Sequence, residues 1–582
     1  MEKKISRKAF LSTATKTAAT NNEKDPVDPF VKKYGNRQLP FNSALRTSSG
    51  LTPYTGAWTE AEVYHLLRRA TFGLTQDSVA ALKQFSGAAE AVDYLLNIKQ
   101  YPQTSPVNCY NYDYYDNQGC PFGYSWVFWA SPESGDPTLA YYRTDFSFKP
   151  WWIGEMIGQN TDLLEKMALF WGNHFGTRTY EFNDPKAVWQ HFNTLRLHAL
   201  GNFRDIIKLI TIDPHMLNVL NGNLSTARAP DENYARELQE LFTVGKGPNS
   251  QYTEEDVKQA ARVLTGWRRQ QQNDGTFITY FSDADHDSSN KHFSAFYNHT
   301  VINGQTGVNG QYETDALLDM ILATDEAAKY ICRCLYRWFV YYVIGDAEEQ
   351  NVITPLAAIM RNNNYELAPV LRALFTSEHF FDQLNRGCII KSPIDLYIGM
   401  ARSIGVNIPT EDVLYKYKFW NHFKMRCDEI GQHLADPVDI SGWPAYRQEP
   451  LFYEAWINST TIQIRAKTLN MYATMGYEVQ PFSLTRVKID SIGFCKKFPD
   501  PATPNTLIND ISRYLLPSGA SAKQFDAMKT KLIKNLEDDS YWTRAWYAYL
   551  ANPGDPIAEG TVRQRLDDLL GYIMNLEEYQ LY

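Results

Sequence analysis

Residues 230–267 constrain the fold more than any other stretch. They hold two helix patterns, each opened by a capping residue and closed by glycine. The first reads PDENYARELQELFTVGKG. Asp231 is placed to cap the helix, and Tyr234, Ala235, Leu238, Leu241 and Phe242 recur at helical spacing as one apolar stripe. Gly245 and Gly247 end it, because glycine takes the left-handed C-cap conformation without steric cost. Asn233, Glu237 and Glu240 fall at i, i+4 and i+7 on the opposite face, and Arg236 lies four residues from both Glu232 and Glu240. Two readings stand. In one, this face is solvated and laced with ion pairs. In the other, Asn233, Glu237 and Glu240 converge on a hard cation or serve as acid and base. The second helix, YTEEDVKQAARVLTGW, starts at Thr253 with three acids next to it, which suits the positive end of the helix dipole. Val257, Ala260, Ala261 and Leu264 form its buried stripe, Gly266 closes it, and Trp267 is expected to pack back on the pair.

The run from Asp231 to Trp267 resembles the central signature of the bacterial domain-of-unknown-function family numbered 1800, with Asp231 where that family usually has asparagine. Further segments resemble the same family. They are HLLRRATFG at 65–73, LLEKMALFWGNHF at 163–175, HDSSNK at 286–291, and GQHLADPVDISGWP at 431–444. The resemblance runs from about residue 59 to the end. It implies a fold and a cellular context but no mechanism, because no activity is established for the family. It also implies an exported protein whose neighbouring genes often encode a sulfatase-like or phosphatase-like partner.

Helical periods recur along most of the chain, while β-type alternation is confined to 276–281. The expected fold class is therefore mainly α, a large multi-helix domain with minor short β-elements. We place that domain at 51–582, with a loop-rich, aromatic insertion at about 100–150 that suits either ordinary loop packing or a carbohydrate or peptide surface. Residues 1–50 are read as a degraded export signal or disordered lead-in. Ser6-Arg-Lys-Ala-Phe-Leu11 resembles a twin-arginine motif, but the apolar run that should follow it is polar. A periplasmic or extracellular location follows from that resemblance, and a cytoplasmic one stays open.

The net charge of −9 argues against nonspecific nucleic-acid binding, which needs a basic footprint. No apolar run is long enough for a transmembrane helix. The seven cysteines contain no CxxC pair, although Cys109 and Cys120 could bond in an oxidising compartment. There is no Gly-rich phosphate loop, no GxSxG elbow and no HExxH zinc motif.

His174 sits on an apolar stripe with Met167 and Trp171, either as a core histidine tied to a backbone partner or as a ligand or general base. Asp285-His-Asp-Ser-Ser-Asn-Lys291, after the strand, is a second cluster of groups able to do chemistry. The candidate catalytic set is therefore His174, Glu237, Glu240, His286 and Asp287, with Arg236 and Lys291 for substrate. A divalent metal would take His174, Asn233, Glu237 and Glu240. The expected site places Arg236, Glu237 and Glu240 beside His174, covered by the 285–291 turn. This supports a metal-assisted or acid–base, hydrolase-like enzyme acting on an envelope or extracellular polymer. The alternatives are a non-catalytic binding or accessory protein of the envelope, and a helical scaffold.

Overall fold

The capping residues act as their positions require. Thr59 accepts a hydrogen bond from the Ala61 amide, and its own amide donates to the Glu62 carboxylate, which opens the helix Glu60–Ala70. Asp231 caps Glu232–Glu237 through the Asn233 amide at 2.9 Å, and Thr253 and Asp256 form a reciprocal box on Glu254–Val263. These bonds satisfy amides that a helix start otherwise leaves unpaired. The structure is a computed structural model describing residues 50–98, 104–131, 135–181, 184–409, 411–478, 486–534 and 538–582. All of these belong to one unit, Thr47–Tyr582. The Ser6–Leu11 motif and all but the last residue of the 1–50 lead-in lie outside the described residues.

The architecture is mainly α. Its strands form three small antiparallel pairs among the described residues. Tyr234, Ala235, Leu238 and Phe242 from the first signature helix, and Val257, Ala260 and Ala261 from the second, are buried as their spacing predicts. Each large apolar side chain buried this way contributes about 1.5–3 kcal/mol relative to exposure. Gly245 and Gly266 have φ of +83° and +96°, the left-handed conformation expected at the two helix ends.

Three local expectations need correction, and the β-element is filled in. The first signature helix is not α throughout, since Leu238–Thr243 is a π-helix with one extra residue per turn. Trp267 is buried, as expected of a residue that packs back after the glycine. It opens a strand, Trp267–Gln271, which pairs with Phe277–Phe281 and completes the expected β-element. The 100–150 segment is irregular where described up to residue 131, but Asp136 then caps a helix at Pro137 and helical structure continues to Gly158. Aromatic residues with no helical period hide that start. Cys109 and Cys120 are free, buried thiols facing the carbonyls of Phe146 and Tyr124. Among the described residues no helix is long and apolar enough to cross a membrane.

Candidate functional site

His174 ends the helix Leu164–His174 and is packed against the rings of Phe170, Trp171, Phe175 and Tyr330. Its Nε2 lies 2.9 Å from the carbonyl oxygen of Phe242. A carbonyl only accepts, so Nε2 carries the hydrogen and donates. The π-helix explains this contact. Its last carbonyls lack helical partners, and His174 takes that of Phe242 while the Tyr330 hydroxyl takes that of Leu241 at 2.8 Å. Burial pushes the imidazole down to about 4. His174 is thus a neutral core histidine that ties one signature segment to another.

The π-helix also undoes the shared face of Asn233, Glu237 and Glu240, because its wider turn rotates Glu240 out of the α-helical register. Asn233 is exposed, Glu237 is buried, and Glu240 pairs with Lys246. Arg236 does not bridge to Glu240. It binds Glu254 through two nitrogens, at 2.8 and 2.7 Å, with Glu232 at 3.2 Å, and so staples the two signature helices together. The face is therefore neither uniformly solvated nor convergent.

The 285–291 turn is pinned somewhere else. His286 Nδ1 lies 2.9 Å from the carbonyl of Thr265, and its Nε2 lies 3.0 Å from Glu313 Oε1. Lys291 binds the other Glu313 oxygen and also the Asp287 carbonyl. The Gln305 amide adds a bond to Glu313 at 2.6 Å. His286, Lys291 and Glu313 are all buried. The Asp287 amide donates to the Thr265 hydroxyl at 2.9 Å, and its carboxylate meets Arg262 Nε at 2.7 Å. Burial works against the charge on Asp287, but bonds from Arg262 and Ser289 outweigh it and hold the carboxyl at about 2. For Glu313, burial is likewise outweighed by His286 and Lys291, so its carboxyl is also held low. The Thr-Gly-Trp end of the second signature helix is the dock for this turn. Thr265 supplies the bonds, a side chain on Gly266 would strike the Ser282 carbonyl oxygen and crowd His286, and the Trp267 indole donates to Thr314 at 2.9 Å.

The expected site therefore separates into two clusters. The ring neighbours of His174 and the partners of His286 share no residue. The four-residue metal set does not assemble, and among the described residues no three His, Cys, Asp or Glu side chains are arranged to hold a metal ion. Sequence reasoning missed Glu313. Nothing local marks a carboxylate whose partners lie 22 and 27 residues away. It also missed a cationic cluster built from Arg68, Lys166 and Lys391.

Together these contacts define a large helical protein whose most distinctive motifs lock against one another. The chain belongs to the family described as "Protein of unknown function (DUF1800)", matched over residues 65–581. No curated protein and no solved structure matches it.

Proposed function

We propose that the chain is a binding protein for an exported or envelope polymer, a polysaccharide in the first instance, with residues 104–131 and 135–142 as its contact surface. The observation that carries this reading is the exposure of Tyr112, Tyr115, Tyr124, Phe128 and Tyr141 on a segment with a fixed interior. Asp116 and Arg143 form an ion pair with no solvent exposure, and the Tyr110 hydroxyl donates to Asp116 at 2.8 Å. The Asn108 amide ties the segment to the Cys120 carbonyl at 2.8 Å. Aromatic rings held on a rigid loop give large amphipathic contact area at low entropic cost, and their faces suit the C–H faces of sugar rings. A net charge of −9 suits a neutral or basic polymer better than a nucleic acid. The twin-arginine-like start and a sulfatase-like or phosphatase-like partner belong to the same reading, which places the protein in the envelope or outside it. The test is binding of the full chain to a panel of polysaccharides, repeated with Tyr112, Tyr115 and Tyr124 all changed to alanine. The proposal expects at least a tenfold loss of affinity with unchanged melting. Unchanged affinity, or no polysaccharide bound by the parent chain, counts against it.

A second reading, acid–base hydrolysis of the same polymer, has one observation in its favour. Burial first, then the charge of Glu240, push the half-buried Tyr252 phenol up, with Glu237 adding to the shift against the pull of Arg236. In that reading Glu237 and Glu240 act as the acid–base pair. Loss of turnover in Glu237→Gln without loss of stability would favour it.

A further inference from the structure

Away from the signature helices, four elements bring cationic side chains around a single carboxylate. Arg68 lies on the helix Glu60–Ala70, Lys166 on Leu164–His174, Lys391 just before Pro393–Ser403, and Arg465 on Ser459–Ala473. Asp395, in the first turn of Pro393–Ser403, is already satisfied. Lys166 binds one of its oxygens, and the hydroxyls of Ser392 and Tyr582 donate to the other at 2.9 and 3.2 Å.

The remaining cations meet carbonyls, an amide and rings rather than carboxylates. Arg68 Nη2 donates to the carbonyls of Arg513 and Tyr514 at 3.0 Å and of Leu516 at 3.2 Å. Lys391 Nζ donates to the Tyr579 carbonyl at 2.7 Å and sits 4.1 Å from the centre of that ring. Arg465 donates to the carbonyl of Lys391 at 3.1 Å and the side-chain oxygen of Gln580 at 3.3 Å. Carbonyl dipoles and ring faces offset a buried cation only in part, and a buried group that lacks its counter-charge is costly.

Arg68 and Lys391 line a cavity of about 30 Å³, together with Asp395, Ser403, Tyr514 and Tyr582 among others. The Tyr514 hydroxyl is buried and has no hydrogen-bond partner among the described residues. A buried hydroxyl without an acceptor calls for one. The space suits one or two water-sized particles, since a single water needs roughly 10–15 Å³ on this measure. A tetrahedral oxyanion is larger than that.

We propose that this cavity binds a single halide ion, chloride in the first instance, between the Arg68 guanidinium, the Lys391 ammonium and the Tyr514 hydroxyl. The ion supplies the missing counter-charge and the missing acceptor at once. It joins the first helix of the described fold to the C-terminal segment that carries Tyr579 and Tyr582. Lys391 fits this role. Burial first, then Arg68, push its ammonium down to about 7 against the pull of Asp395, with Arg465 adding to the shift. A bound anion would restore its full charge.

The test uses the full chain. Crystals soaked in bromide should show anomalous density in the cavity within contact of Arg68 and Lys391. Thermal melting at equal ionic strength should give a higher midpoint in chloride than in gluconate, because a ligand that binds only the folded state stabilises it. Tyr514→Phe removes the hydroxyl and leaves the ring, and it should shrink that chloride-dependent difference at least twofold. Bromide found only on the outer surface, an adventitious ion only, would overturn the proposal. So would equal midpoints in the two salts, or a difference that Tyr514→Phe leaves intact.

Discussion

His286 and Glu313 meet at 3.0 Å inside the protein, with Lys291 on the second oxygen of the same carboxylate. One buried acid thus holds two basic side chains of a turn that Thr265 and Arg262 also bind. Removing one partner of a buried ionic cluster leaves the others uncompensated and costs about 3–5 kcal/mol. Glu313→Gln should therefore destabilise the protein by about that much, measured by urea unfolding. A change under about 1 kcal/mol, the worth of a surface pair, would mean the cluster does not hold the turn.

Arg236 is the contrasting case. Its bonds to Glu254 and Glu232 are partly exposed, and such pairs are worth about 0.2–1 kcal/mol in water. Arg236→Ala should shift the urea midpoint only slightly, and 0.5 M salt should shrink the effect further (roughly, since screening grows with ionic strength). A large, salt-insensitive loss would place Arg236 in a different role.

Gly266→Ala should cost about 1–3 kcal/mol. The backbone there has φ of +96°, and a new Cβ would lie 2.8 Å from the Ser282 carbonyl oxygen. Gly560, with nothing near its Cβ position, is the control, and alanine there should be neutral or slightly stabilising. Equal effects at the two positions would contradict the account of the Thr-Gly-Trp dock.

Acid should weaken the fold before the carboxylates titrate. Burial lowers His174 to about 4, His215 and His422 to about 3, and His65 well below its ordinary value. A histidine whose folded pKa is depressed leaves the unfolded chain binding more protons. Its stability contribution is full above 6.5 and falls as pH drops towards the folded value. Each such group costs the folded state on the order of 1 kcal/mol per pH unit below that point. His433, half-exposed and raised by Asp428, runs the other way and is worth little in water. Melting temperature should fall steadily from pH 6.5 to about 5.5, above the ordinary carboxylate range. A flat profile across that window would show that these rings are not held neutral.

The local half of this fold was legible in the sequence. Thr59, Asp231 and Thr253 cap because a side-chain oxygen next to an apolar period has one evident use, and Gly245 and Gly266 stop because that conformation favours glycine. The site was less legible for two reasons. A π-turn at Leu238–Thr243 has no signature in residue spacing, so the face assigned to Asn233, Glu237 and Glu240 followed a register the backbone does not keep. The partners of the polar residues are also distant. Lys166 and Asp395 are 229 residues apart, and His174 and Phe242 are 68 apart. Helical period predicts which face of a helix is buried, but not which carboxylate or carbonyl waits on the other side.

The central claim is that the signature's polar residues hold the protein together while the polymer is met elsewhere. It is tested most directly by measuring melting and polymer binding on the same preparations of Glu237→Gln, His174→Gln, His286→Gln and Asp287→Asn. The account predicts that each substitution lowers the melting temperature while affinity and any turnover, per folded molecule, stay at the parent value. A variant that keeps its melting temperature and loses binding or turnover would contradict it, and would make that residue part of an active site.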